Sequence, residues 1–168
     1  MLGSPFFMSP LLFHLDANVV NARQRDQNLN ELERLASIGV VELEFSEVAY
    51  GEATKGNGIR EAKAELLTWA GLSHQADLEV SWRTLIANAT FPDGVISAGQ
   101  RNDVEILLTA KLAGAILVTT DGSSKLQPRG ILGSKRELNA LGIQVVTPAE
   151  AVSLANAARN AICKLNAD

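Results

Sequence analysis

Residues 11–15 form a short apolar run ended by Asp16, the pattern of a buried strand closed by a polar residue. The next stretch, NARQRDQNLNELERLASIG, is first polar and then periodic. Leu29, Leu32, Leu35 and Ile38 recur at helical spacing, and Gly39 supplies a stop. Residues 40–45 alternate, with Val41, Leu43 and Phe45 on one side and Glu42 and Glu44 on the other. That period of two predicts a strand with one wet face. Ser46 is placed to cap a helix from Glu47 to about Ala53, and Gly56-Asn57-Gly58 to break it. Within residues 59–90, REAKAELLTWA and LEVSWRTLIANA are both compatible with helix. From Asp103 the pattern sharpens, with Ile106, Leu107 and Ala110 on one helix face, Gly114 as the stop, and AILVT at 115–119 as a buried strand. Ser134 with Glu137, and Thr147 with Glu150 around Pro148, read as two capping boxes, with a strand over 143–146 between them.

Strands that alternate with helices predict an α/β fold, a three-layer α/β/α sandwich around a mainly parallel sheet. A chain of 168 residues, 46% apolar, buries a core without staples. No repeat or Pro-rich linker divides it, so residues 1–168 read as a single domain with 55–100 as a helical elaboration. Cys163 is the lone cysteine, which excludes an internal disulfide and favours a reducing compartment. No apolar run approaches the ~20 residues of a membrane span. The apolar opening lacks a basic leader, so no signal peptide, no membrane partner and a cytoplasmic location are the expectations. Nineteen acids against fifteen bases give a net charge of −4, which argues against gripping nucleic acid by bulk charge. Setting four carboxylates aside for a metal leaves fifteen acids against fifteen bases, so a metal-dependent enzyme acting on a polyanion stays open.

In parallel sheets ligands bind outside the carboxyl ends of the strands. Asp16 follows the first strand, Glu47 follows the second, Asp121 follows the strand at 115–119, and Asp103 is read into the first turn of the helix feeding that strand. Singly, each is as well explained as a turn or cap residue; a carboxylate in a first helical turn gains ~0.3–1 kcal/mol from the dipole. Together they repel in a partly desolvated cleft unless a counter-charge joins them. Oxygen-only ligation suits Mg²⁺, with Mn²⁺ as substitute, and not zinc, since His14, His74 and Cys163 show no ligand-like spacing.

LLFHLDANVV, SEVAYGEA and RNDVEILLTAKLAGAILVTTDG, in that order, resemble the signature segments of PIN-domain ribonucleases, a family that includes the toxins of many bacterial toxin–antitoxin pairs. Asp16 and Asn18 match its Asp-x-Asn, Glu47 and Gly51 its Glu followed four residues later by Gly, Asp103 with Ile106 and Ala110 its helix-opening acid, and Thr119 and Asp121 its Thr-x-Asp. Gly122-Ser123-Ser124 departs from the acidic and aromatic residues usual after the last acid.

The resemblance implies a Mg²⁺-dependent endoribonuclease whose catalytic and metal-holding residues are Asp16, Glu47, Asp103 and Asp121. Asn18, Thr119 and Ser123 would support those acids, and Arg101, Lys125 and Arg129 would meet phosphates of the RNA substrate. An antitoxin protein and a homodimer are the partners it implies. The alternative is a catalytically silent PIN-like module binding RNA or a partner protein. Trp69 and Trp82 sit among apolar neighbours and read as core or interface residues before base-stacking ones.

Overall fold

The structure is a computed structural model that describes residues 9–55, 68–69, 76–122 and 129–165. Its sheet is built from β1 (Leu11–Leu15), β2 (Val41–Phe45), β3 (Thr68–Trp69), β4 (Ile116–Val118) and β5 (Val145–Val146). All neighbours pair parallel in the order β3-β2-β1-β4-β5. The helices are α1 (Ala17–Asn21), α2 (Gln27–Ser37), α3 (Glu47–Thr54), α4 (Ala76–Thr90), α5 (Ala98–Ala113), α6 (Lys135–Ala140) and α7 (Pro148–Leu165). This is the three-layer α/β arrangement the pattern predicts.

β1 is the central strand, and Phe13, His14 and Leu15 are buried along it. β2 keeps its predicted alternation, with Val41, Leu43 and Phe45 inside and Glu42 exposed. α2 packs on α7 and buries Leu29, Leu32 and Leu35. Gly114 ends α5 in the left-handed region at φ 65°, a conformation that a Cβ disfavours. The core is one contiguous cluster beneath both groups of helices.

Three local expectations change. α5 begins at Ala98, capped by a reciprocal Ser97–Gln100 box, so Asp103 lies in its second turn, beyond the reach of the first-turn dipole. Thr68–Trp69 pairs with Glu44 and Phe45 as an edge strand, because β2 still offers an open edge there; the rest of 56–67, and 70–75, lies outside the described residues. Ser134 caps no helix; its hydroxyl donates instead to the Gly130 carbonyl at 3.3 Å. Trp82 packs against the core as read, with the Lys111 ammonium 4.6 Å over its ring. The Thr147–Glu150 box forms as read, with Glu150 Oε2 2.7 Å from the Thr147 amide. Among the described residues no helix is long and apolar enough to cross a membrane.

Candidate functional site

At the carboxyl ends of β1 and β4 the backbone opens into a cleft of about 510 Å³ lined by Asp16, Asn18, Asn21, Glu52, Lys55, Gly99, Asp103 and Asp121. The parallel topology puts it there. The Asp16 amide donates to the Val118 carbonyl at 3.0 Å, so the chain leaves β1 still pinned to β4. Asp16 is 3% exposed. Its Oδ2 accepts the Thr119 hydroxyl at 2.7 Å, and the same Thr119 oxygen accepts the Asp121 amide at 2.9 Å. One buried hydroxyl thus fixes two of the acids. Asp121 Oδ2 accepts the Ile131 amide at 2.8 Å, and its carbonyl accepts the Leu132 amide at 3.0 Å. This closure needs Gly130: at φ +57° a Cβ there would stand 2.2 Å from the Gly122 carbonyl oxygen.

Burial pushes the Asp16 carboxyl above its ordinary pKa. The Thr119 hydroxyl and the Ala17 amide pull it back, and the charges of Glu52 and Asp121 push it further up. The electrostatics therefore couple three of the acids.

The carboxylate that α3 contributes is Glu52 and not Glu47. Glu47 is exposed in the first turn of α3 and is not among the residues that line the cleft. The physical reason is helical phase. Ala49 and Ala53 are fully buried and define the inward stripe; at 100° per residue Glu52 lies roughly 80° from the middle of that stripe and Glu47 roughly 140°. Gly51, the spacing partner of Glu47, is exposed and would accept a Cβ with nothing within 4 Å, so no steric demand explains it. Glu52 and Gly56 meet the same Glu-x-x-x-Gly spacing as Glu47 and Gly51. Glu52 Oε1 accepts the Asn102 side-chain amide from α5 at 2.6 Å.

No protein-family model and no curated protein matches the chain. Among solved structures it is similar to a chain of VapBC2 from Rickettsia felis, crystallised bound to a DNA fragment from their promoter. The two share 17% identity over 82% of this chain and 98% of that one, with a TM-score of 0.53. This chain has a PIN-like fold. At that identity the likeness is one of fold.

In the PIN-like cleft Asn18 is exposed on the wall, and Thr119 is buried beneath the acids. Ser123 and Lys125 lie outside the described residues. Arg101 lines a different groove, between α4 and α5 with Arg83, Asn88 and Val104, because it lies two residues before Asp103 and so on another side of α5. Arg129 is exposed and within 3.6 Å of Glu137. Among the described residues, the cation that lines the PIN-like cleft is Lys55.

His14 is buried with both ring nitrogens lacking a hydrogen-bond partner, the nearer one 3.4 Å from Glu44. Burial lowers its pKa to about 4, which keeps it neutral. Its place on β1 is that of a core histidine.

As placed, no three acidic, histidine or cysteine side chains among the described residues stand close enough to hold a metal ion. The acids line the walls of one cleft instead. The fit to a divalent cation is thus one of donor chemistry: the cleft offers carboxylate oxygens from four segments and neither sulfur nor imidazole.

Proposed function

We propose that the protein is a Mg²⁺-dependent endoribonuclease whose metal is held by Asp16, Glu52, Asp103 and Asp121. The observation that carries this reading is the convergence of four carboxylates from four separate chain segments on one cleft at the sheet's carboxyl end, with Asp16 buried where its charge is disfavoured unless a cation joins it. A fold gains nothing from such a group; a cation does. Glu52 and Asp121 are only partly buried, so their carboxylates have room to turn toward a shared ion.

When bound, a divalent ion supplies an activated water and positive charge to set against the oxygens of a phosphodiester. The chain's own residues do the rest. Thr119 keeps Asp16 and Asp121 in register, and the Ile131 amide keeps one Asp121 oxygen tied down. Asn18 and Lys55 on the wall are placed to meet a phosphate, Lys55 by charge and Asn18 by hydrogen bonding. In this reading Arg101 and Arg129 have no part at the cleft.

The likeness to VapBC2 supports a toxin of a toxin–antitoxin pair, held in check by a partner protein. The reaction and the partner are tested separately. Cleavage of RNA with Mg²⁺ or Mn²⁺, abolished by EDTA and by Glu52→Gln but retained by Glu47→Gln, is the expected result. Glu52→Gln should reduce the rate by more than about a hundredfold, beyond the 10–100-fold typical of a residue that only supports a ligand. Loss in Glu47→Gln with Glu52→Gln still active would return the second acid to Glu47. Wild-type RNA binding that is indifferent to EDTA, with no cleavage at all, would leave the silent module.

A further inference from the structure

We propose that Asn102 is a positioning residue for Glu52, setting how that carboxylate meets a divalent cation; the inference rests on the metal-cleft reading above. Asn102 Nδ2 donates to Glu52 Oε1 at 2.6 Å across fifty residues of sequence. The bond joins α3 to α5 one residue before Asp103, the acid that α5 contributes to the cleft.

The chemistry of the donor matters. Glu52 carries the longest side chain of the four acids and has the most rotamer freedom to lose when it takes up a ligand. A lysine or arginine would hold it too, but would neutralise the charge that attracts a cation and would compete for the same oxygens. A neutral amide fixes Oε1 while leaving the full charge and the second oxygen for an ion. Two of the other three acids follow the same rule: the Thr119 hydroxyl holds Asp16, and the Ile131 amide holds Asp121. Three carboxylates are thus each held by a neutral donor, and two of those donors are side chains that a substitution can remove.

The test is Mn²⁺ binding to the full chain by titration calorimetry or by electron paramagnetic resonance, with wild type, Asn102→Ala, Glu52→Gln and the double variant. Asn102→Ala is expected to weaken Mn²⁺ binding about tenfold, and to cost less than twofold once Glu52→Gln is present. A residue that merely ties α3 to α5 would lower the melting temperature in EDTA without that dependence on Glu52. Should Asn102→Ala fail to fold, Asn102→Leu, similar in shape but without the donor, carries the same expectations. Mn²⁺ binding by Asn102→Ala as tight as wild type, or the same loss in both backgrounds, overturns the inference and leaves the cleft reading standing. Wild type that binds no Mn²⁺ overturns both.

Discussion

Asp16 and Glu150 are both carboxylates beside the start of a helix, and the structure treats them in opposite ways. Glu150 is exposed and fully engaged: it accepts the Thr147 amide and hydroxyl and the Lys135 ammonium, which hold its pKa down to about 2. Asp16 is buried at the end of β1, makes no side-chain cap for α1, and has its pKa pushed up. One carboxylate is used up by local structure; the other stands where burial works against its charge. A folded chain keeps the second kind for what it binds.

The sharpest way to break that contrast is to neutralise Asp16. Its folded pKa lies above the unfolded value, so its ionisation costs stability at every pH above the carboxylate range. Asp16→Asn should lose RNA cleavage by more than about a hundredfold, yet melt no lower than wild type in EDTA. A variant that stays active, or that melts several degrees lower, would mean Asp16 is a structural group like Glu150.

Thr119→Val comes next. It keeps the shape but strips the buried hydroxyl from Asp16 Oδ2 and from the Asp121 amide. The expected cost is about 1–3 kcal/mol of stability, measured by denaturant unfolding, with a roughly tenfold loss of Mn²⁺ affinity. Loss of stability with unchanged Mn²⁺ binding would confine Thr119 to the fold.

The smallest effect belongs to Glu150→Gln. Because the Glu150 pKa is depressed from 4.5 to about 2, its contribution is present above the unfolded value and fades as pH falls from about 4.5 toward 2. Solvent screens the half-exposed pair, so the loss at neutral pH should be below about 1 kcal/mol. Cleavage should be unchanged. Unfolding curves at pH 7 and pH 3 check it: the difference between Glu150→Gln and wild type should shrink at the lower pH.

Much of this was legible in the chain. The apolar run before Asp16, the alternation of 40–45 and the helical spacing of Leu29, Leu32 and Leu35 each report a local period, and β1, β2 and α2 follow them. Asp16 and Asp121 line the cleft because strand ends in a parallel sheet share one edge, and Asp103 joins them from the N-terminal part of α5. The spacing of a glutamate to a glycine does not report helical phase; the Ala49–Ala53 stripe does, and it puts Glu52 rather than Glu47 on the cleft wall. Arg101 stands two residues before Asp103 yet lines another groove, because helical phase separates the two. The Asn102–Glu52 hydrogen bond carries no signal in the chain, since its partners stand fifty positions apart on different helices.

By itself, then, the amino-acid order determined which segments are strands and helices, that the sheet is parallel, and that acids gather at one end of it, because each follows from periodicity and from where polar residues interrupt it. Tertiary structure decided which glutamate turns inward on α3, which neutral donors hold the acids, and that Thr68–Trp69 joins the sheet edge. Those depend on how packed helices rotate against their neighbours and on which edge is left open, and neither is a property of any single stretch of chain.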